Sequence, residues 1–126
     1  MNWNSNGLIF LTFAVIAIAF FLFKTAGQMS AKDALAHLKQ GALVIDVRSP
    51  GEFASGHLAR AINIPLDQIE AALPEQVQDK NQVMLLHCAS GVRSGMAKSK
   101  LRAMGYANSF NLGSYGRAES IVNQSN

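Results

Sequence analysis

One long apolar run near the amino end stands apart from the rest of the chain. Residues 7–23 contain no charged side chain, and Lys24 is the first charged residue of the sequence. These seventeen residues are close to the lower limit for crossing a bilayer as a helix, which takes roughly 17 to 25 residues. The pattern predicts a transmembrane helix over residues 7–23, preceded by a tail at residues 1–6, in which Trp3 suits the membrane interface, and followed by a linker at residues 24–28.

The remaining chain alternates between segments of helical period and short continuous apolar runs. Segments whose apolar residues recur every three or four positions predict helices, and short apolar runs predict strands buried on both faces. Ser30 is a suitable N-cap for the first of these helices, Gly41 is a stop, and Pro74 is expected to end the second. The predicted helices span residues 31–39, 66–73 and 93–104, and the predicted strands span residues 42–47, 82–87 and 108–112.

This alternation of strands and helices is typical of an α/β fold with a central parallel sheet flanked by helices. In such folds, the loops that follow the carboxyl ends of the strands carry the functional residues. About a hundred residues suffice for one hydrophobic core, and the sequence contains no internal repeat. We therefore predict a single domain over residues 29–122 and a short tail over residues 123–126.

The positions of the first charged residues predict an orientation for the apolar helix. Lys24, Lys32 and Lys39 follow it and no charged residue precedes it. The positive-inside tendency therefore predicts a single-pass protein of the inner (plasma) membrane with its domain in the cytoplasm. The alternative is a signal peptide, whose cleavage would leave a periplasmic or exported domain. Signal peptides have a basic residue before the apolar run, which is absent here, and a small-x-small cleavage site, of which residues 25–27 are a weak example.

The remaining charges and histidines limit the range of functions. The net charge is +3 and the basic residues are scattered, so the composition does not predict a nucleic-acid partner. The histidines are not spaced as metal ligands, and we expect neither a metal nor another cofactor. Three basic residues on the predicted helix 93–104 could form a patch, although an ordinary solvated helix face is more common: these are Lys98, Lys100 and Arg102.

The only cysteine of the chain lies at the end of the strand predicted at residues 82–87. A glycine-containing loop follows Cys88 and leads into a helix, so backbone N–H groups and the helix dipole favour an anion at the sulfur. With Arg93 at the end of this loop, we expect the pKa of the thiol to fall from about 8.5 into the range of about 3.5 to 7.5 typical of electropositive sites. Because side chains alternate along a strand, His87 should point away from Cys88 and is not expected to be its general base.

The loop after this cysteine resembles the active-site loops of two enzyme families. Protein tyrosine phosphatases place five residues between cysteine and arginine, whereas four separate Cys88 from Arg93 here. The shorter loop encloses a smaller cavity, suited to a sulfur atom on the cysteine rather than to a phosphate group. It is similar to the loop of single-domain rhodaneses, which are thiosulfate and persulfide sulfurtransferases. This likeness implies persulfide binding by Ala89, Ser90, Gly91, Val92, Arg93 and Ser94.

A second block, residues 44–65, carries the same resemblance. It contains Asp46-Val47-Arg48, Glu52-Phe53, Gly56-His57-Leu58 and Ala61-Ile62-Asn63-Ile64-Pro65, which look like the Asp-x-Arg, Glu-Phe/Tyr, Gly-His-Ile and Ala-x-Asn-Ile-Pro motifs of the family. Residues 49–51, Ser-Pro-Gly, predict a turn that opens a short helix. Four polar side chains lie close together in sequence, and we expect them to form one network that supports the loop structurally: Asp46, Arg48, Glu52 and His57.

The resemblance implies a reaction in which the Cys88 thiolate takes sulfur from thiosulfate or a persulfide donor. An acceptor such as cyanide or a protein thiol then removes that sulfur. Because the chain has one cysteine, a dithiol redox cycle within one chain is excluded. Family members often have a Gly-Gly pair and a Trp before the last helix, whereas residues 112–116 here are Leu-Gly-Ser-Tyr-Gly, so the resemblance does not predict the lid over the active site.

Two alternatives to a sulfurtransferase stay open on the sequence. A noncatalytic rhodanese-like binding or scaffold module usually lacks the nucleophile, whereas Cys88 is present here. A phosphatase or arsenate-reductase-like enzyme would use a similar thiolate, but the short loop disfavours it. If the protein is a sulfurtransferase, its predicted partners are a small sulfur donor such as thiosulfate, a protein thiol acceptor and a membrane.

Overall fold

The long apolar run forms a single helix in the computed structural model, which describes residues 4–25 and 27–126. Helix α1 spans Ser5–Thr25 and includes the predicted span at residues 7–23. Its segment Ser5–Phe23 is long and apolar enough to cross a membrane, a property that a membrane anchor and a signal sequence share. The interfacial anchor expected at Trp3 and the central residue of the weak cleavage site, Ala26, lie outside the described residues.

The rest of the chain builds a four-stranded parallel sheet with helices on both faces. The strand order is β2-β1-β3-β4, and every neighbouring pair is parallel. The strands are β1 Leu43–Asp46, β2 Ala61–Asn63, β3 Met84–His87 and β4 Ser109–Gly113. The helices are α2 Ala31–Lys39, α3 Pro50–Ser55, α4 Ile69–Gln76, α5 Val92–Ala103 and α6 Tyr115–Gln124. The predicted α/β fold with a central parallel sheet is confirmed.

Side chains that alternate along the strands supply two separate hydrophobic layers. Leu86 on β3 belongs to the layer under α4 and α5, whereas its neighbour Leu85 belongs to the layer under α2 and α6. All four residues of β3 are buried, as expected for a strand covered on both faces. Cys88 follows Leu86 by two positions and lies in the same layer, so the loop after Cys88 starts from a fully packed strand.

Local sequence explains most helix boundaries. The hydroxyl oxygen of Ser30 accepts from the backbone N–H of Asp33 at the start of α2, as predicted for an N-cap. Ser49 and Glu52 form a capping box at the start of α3, in the turn predicted from Ser-Pro-Gly. Strand β2 is not predicted by the hydrophobic pattern, because it has three half-buried residues at the edge of the sheet.

The prediction that Pro74 ends its helix is wrong. Leu66–Gln68 form a 3-10 turn, and α4 then continues through Pro74 to Gln76. A proline removes one backbone N–H from the helix, but the next turn is held by the bond from Val77 N–H to the Leu73 carbonyl at 2.8 Å. Leu73 and Val77 are both buried in the core, so packing keeps this last turn helical.

Candidate active site

Cys88 is fully buried, and its sulfur is held by the loop that follows it. The backbone N–H of Gly91 donates to Sγ at 3.0 Å, and the Ser94 hydroxyl lies 3.5 Å from it. The backbone N–H of Cys88 donates to the carbonyl of Gly113 on β4 at 3.3 Å. Two elements far apart in sequence, the loop and the end of β4, therefore fix the position of the sulfur.

Two opposing effects set the pKa of this thiol. Burial raises the pKa of Cys88, because the thiolate loses solvation. The hydroxyl of Ser94 and the backbone N–H groups of Ser94, Gly91 and Ser90 lower it by hydrogen bonding to the charged form. The hydrogen bonds outweigh burial, and the pKa lies below its ordinary value. The direction agrees with the expectation from the sequence, and it increases the fraction of reactive thiolate near neutral pH.

Gly91 gives the loop its shape. Its φ of +94° is in the left-handed region, where glycine avoids the steric cost of a side chain. It precedes the first residue of α5, so its N–H points toward the sulfur at the positive end of that helix. A methyl group at this position would come within 3.0 Å of the Gln28 side chain and 3.4 Å of the Gly113 backbone.

Arg93 pairs with a carboxylate of the protein. Its Nη1 and Nη2 donate to the two carboxylate oxygens of Glu52 at 2.7 and 2.9 Å, which joins α5 to α3. Arg93, followed by the backbone N–H of Ser49, lowers the pKa of Glu52 to about 2. These contacts fix the loop, and Glu52, followed to a smaller extent by Cys88, raises the pKa of Arg93, so the guanidinium also lies close enough to the sulfur to attract an anion there.

Asp46 and Arg48 form a buried ion pair at the end of β1. The Nη2 of Arg48 donates to one carboxylate oxygen at 2.7 Å, and its Nε lies 3.0 Å from both. Arg48 also donates to the Gly56 carbonyl at 2.8 Å, and its guanidinium lies 4.7 Å from the centre of the Tyr115 ring. The pair therefore ties β1 to the end of α3 and to the start of α6.

The four expected support residues do not share one hydrogen-bonded network within residues 27–126. His57 contacts neither of the pairs described above: its Nδ1 lies 2.8 Å from the Phe53 carbonyl, and its ring stacks on Phe53 at 3.7 Å. Glu52, on helix α3, points toward Arg93 at the end of the loop after Cys88, whereas Asp46 and Arg48 pair with each other at the end of β1. The expectation of a single network is wrong because these side chains leave α3 and β1 in different directions.

His87 lies on the opposite face of the sheet from Cys88, as the alternation of strand side chains predicts. It is fully buried, with its Nε2 3.8 Å from a carboxylate oxygen of Asp46 and its ring edge-on to Tyr115. Burial lowers the pKa of His87 and favours the neutral ring. Among the described residues, its ring nitrogens form no hydrogen bond. His87 is therefore placed to pack behind the site and not to take a proton from Cys88.

Asn111 is the residue of the site that the sequence does not reveal. Its side-chain oxygen accepts from the Ser94 hydroxyl at 2.7 Å and from the Gly113 N–H at 2.9 Å. Its side-chain nitrogen donates to the Gly91 carbonyl at 3.0 Å. This buried amide thus binds Gly91 and Ser94 of the loop and Gly113 of β4 at the same time. The only sign in the sequence is an amide side chain at the centre of β4, a strand that also contains the polar Ser109.

The segment that departs from the family pattern packs against the loop. Ser114 caps α6 and forms an antiparallel bridge with Ser90, and the N–H of Tyr115 donates to the Ala89 carbonyl at 3.2 Å. The Tyr115 ring covers Arg48 and His87. These backbone contacts join the start of α6 directly to the loop after Cys88.

The basic residues of α5 have separate partners. Lys98 donates to the Gly27 carbonyl, Lys100 pairs with Glu70, and Arg102 donates to the Ser109 carbonyl. These contacts match an ordinary helix face better than a shared anion-binding patch. In the part of the chain that the structure describes, no cluster of three histidine, cysteine, aspartate or glutamate side chains could hold a metal ion.

A groove of about 440 Å³ opens beside the loop. Arg93 and Lys100 contribute to its polar lining, and Pro50, Pro65 and Leu66 contribute apolar surface. Both cations already have carboxylate partners. Asp67 also lines the groove, which therefore combines apolar walls with two paired cations and an additional carboxylate next to the candidate active site.

Comparisons with known proteins agree with this geometry. The family model for the rhodanese-like domain matches residues 30–116. The chain is 41% identical over 69 residues to thiosulfate sulfurtransferase PspE of Escherichia coli, an alignment that covers 55% of this chain and 66% of that protein. It is 35% identical over 107 residues to the uncharacterized protein YqhL of Bacillus subtilis, covering 83% and 82% of the two chains. The structure of the human single-domain sulfurtransferase TSTD1 superposes with a TM-score of 0.63 at 26% identity, covering 75% of this chain and 96% of that one.

Proposed function

Because this chain belongs to the family of rhodanese-like domains, we propose that it is a sulfurtransferase that carries sulfane sulfur as a persulfide on Cys88. The observation that carries the proposal is a buried thiol with a lowered pKa, held by the Gly91 N–H and the Ser94 hydroxyl. A relative named for thiosulfate sulfurtransferase activity supports thiosulfate as a donor. A persulfide of a small molecule or protein is the other donor class.

The proposed reaction has two displacement steps. The Cys88 thiolate attacks the outer sulfur of thiosulfate, the sulfur–sulfur bond of thiosulfate breaks, and sulfite leaves with the electron pair. The product is a Cys88 persulfide. A nucleophile such as cyanide or a protein thiolate then attacks the terminal sulfur, and Cys88 leaves as the thiolate. No net oxidation of the protein occurs, which suits a chain with one cysteine.

The loop supplies the stabilisation that these steps require. Hydrogen bonds from preorganised backbone N–H groups stabilise the anionic sulfur in each state. We assign persulfide binding to residues 89–94 and the nucleophile to Cys88. Arg93 fixes the loop through Glu52, at 2.7 and 2.9 Å. Asp46, Arg48 and Glu52 serve as structural support, because their contacts join β1, α3 and α5. His57 supports the end of α3 through its contacts with Phe53.

Mass spectrometry tests this reaction directly. The intact protein is incubated with thiosulfate, and its mass is compared with that of the Cys88→Ser variant treated in the same way. We expect a gain of one sulfur atom that is absent from the variant and is removed by cyanide, with thiocyanate as the product. The same protein should not hydrolyse a chromogenic phosphate ester, since the loop is one residue shorter than that of the phosphatases.

Two outcomes would contradict the sulfurtransferase proposal. A folded protein with an alkylatable Cys88 that gains no sulfur from thiosulfate or from a glutathione persulfide would favour a scaffold role. Hydrolysis of the phosphate ester that depends on Cys88 would favour the phosphatase or arsenate-reductase class. The serine variant controls both assays, because it keeps a side chain of nearly the same size.

We further propose that residues 7–23 anchor the protein in the inner (plasma) membrane as a single-pass helix. The boundaries proposed from the sequence place a tail at residues 1–6, a linker at 24–28, the rhodanese domain at 29–122 and a tail at 123–126, although α6 itself continues to Gln124. The length and apolar composition of Ser5–Phe23 support the anchor. The lysines after the helix support a cytoplasmic domain. The acceptor of the sulfur would then be a protein thiol close to the membrane.

Membrane extraction tests the anchor. We expect the full-length protein to stay in the membrane fraction after washing with alkaline carbonate and to enter solution only with detergent, because an apolar helix of this length is inserted. Its intact mass should include the amino-terminal residues. Recovery of a soluble protein that begins near residue 28 would instead show that the helix is a cleaved signal sequence.

A further inference from the structure

A short segment before the family-matched region is bound to the sheet beside the active site. This N-terminal strap, Gly27–Met29, precedes residue 30, where the match to the family model begins. Gln28 forms a parallel bridge with Asn111, and the Met29 N–H donates to the Asn111 carbonyl at 2.9 Å. Lys98 donates to the Gly27 carbonyl at 3.1 Å. The strap is therefore a bound part of the domain and not a free linker.

A second side chain holds the strap from the opposite direction. Arg117 on α6 donates through Nη2 to the Met29 carbonyl and through Nη1 to the Leu112 carbonyl at 2.6 Å. Its guanidinium thus joins the strap to β4 just before Gly113. With Lys98 on α5, two cations from two helices bind the residues on either side of Gln28, which are Gly27 and Met29. The backbone at Gln28 consequently has little freedom to move away from the catalytic loop.

The side chain of Gln28 packs between two glycines that touch the nucleophile. A Cβ atom at either Gly91 or Gly113 would lie 3.0 Å from its Nε2 atom. Both glycines have positive φ angles, +94° and +101°. Gly91 donates its N–H to the sulfur of Cys88, and Gly113 accepts from the N–H of Cys88. The Gln28 amide therefore packs against both glycines whose backbone groups bind Cys88, namely the N–H of Gly91 and the carbonyl of Gly113.

We propose that Gln28 is a positioning residue for Cys88, supplied by a segment outside the family-matched domain. It holds the backbone of Gly91 and Gly113 at the distances that stabilise the thiolate, and it does so without contacting the transferred sulfur. Asn111 connects the two sides of this arrangement, because its backbone binds the strap while its side chain binds Ser94 and Gly91. The inference rests on the role of Cys88 in the proposed function.

The test measures the pH dependence of Cys88 alkylation in the full-length protein in detergent. In Gln28→Ala, the loop loses the packing that aligns its N–H groups. We expect the midpoint of alkylation to rise by about half a pH unit or more and sulfur transfer to fall about tenfold, as is typical of small misplacements in a reactive site. The matched control is Gln78→Ala, the same change at an exposed position after α4. It should alter neither quantity.

A second variant keeps the size of the side chain and separates positioning from folding. Gln28→Glu introduces a carboxylate next to the loop, and a nearby like charge should raise the pKa of the thiol by about one unit or more. A midpoint in Gln28→Ala equal to that of Gln78→Ala would overturn the proposal even if Gln28→Glu shifts it, because the added charge acts on the thiol without any change in the position of the loop. Alkylation needs no sulfur donor, so a failure of the proposed function would appear as a missing persulfide, whereas the alkylation midpoint would still respond to Gln28.

Discussion

Gly91→Ala should slow sulfur transfer by about 100-fold or more, because it removes the geometry of the hydrogen-bond donor closest to the sulfur. At a φ of +94° an alanine is strained, and its methyl group would lie 3.0 Å from Gln28 and 3.4 Å from the Gly113 backbone. Relief of these contacts moves the loop, so the Gly91 N–H no longer reaches Sγ at 3.0 Å. The rate of persulfide formation from thiosulfate, followed by rapid-quench mass spectrometry, measures the loss.

Gly41→Ala is the matched control for this variant. Gly41 has the same φ of +94°, but a methyl group there would meet no atom within 4 Å. Both variants therefore carry the same strain of the left-handed backbone, and only Gly91→Ala disturbs the loop. Equal rates in the two variants would contradict the role assigned to Gly91. A loss of folding in both would show that the strain itself is the dominant effect.

Asp46→Ala should lower the free energy of unfolding by about 3–5 kcal/mol, the cost typical of breaking a buried ion pair by removing one partner. Asp46 is fully buried, and its carboxylate accepts from Nε, Nη2 and the backbone N–H of Arg48. The variant leaves the Arg48 guanidinium in a largely buried position, where the Gly56 carbonyl is its remaining hydrogen-bond acceptor within residues 27–126. Urea unfolding followed by circular dichroism measures the change.

An exposed acid provides the comparison for this stability measurement. Glu119 lies on the outer face of α6, and Glu119→Ala should change the free energy of unfolding by less than about 0.5 kcal/mol, as is usual at the surface. Both variants remove one negative charge, so the difference between them isolates the effect of burial and pairing. A loss below about 1 kcal/mol in Asp46→Ala would mean that water reaches Arg48 in the variant and replaces the lost carboxylate.

The strands and helices could be predicted because their evidence is local. The apolar run that forms β3 ends directly before Cys88, and the helical pattern begins a few residues after it. Ser30 likewise caps the helix that immediately follows it. The end of α4 is different. A proline normally ends a helix, but α4 continues past Pro74 because Leu73 and Val77 pack in the core. Local patterns thus predict a helix or strand correctly where its own residues, and not its packing against other elements, determine its bounds.

Only the part of the site that lies within one continuous segment could be predicted from the sequence. Cys88 and its loop are contiguous, so their proximity follows from the sequence. Arg93 pairs with Glu52, which lies 41 positions away in sequence. Arg48 is much nearer to Glu52 along the chain, and nothing in the sequence indicates that Glu52 binds Arg93 instead of Arg48. Asn111 is likewise distant from Gly91 by 20 positions. Such contacts depend on how strands β1, β3 and β4 align, which side-chain periodicity does not determine.

The strap also protects an edge of the sheet. Strand β2, at one edge, has three residues, whereas β4, at the other, has five and offers a longer row of backbone groups. Unpaired edge strands are templates for pairing with a second chain and for aggregation. Because Met29 donates to the Asn111 carbonyl, part of that row is already occupied. A protein cut back to residue 30 would expose it, and the cut would alter solubility and self-association as well as reactivity.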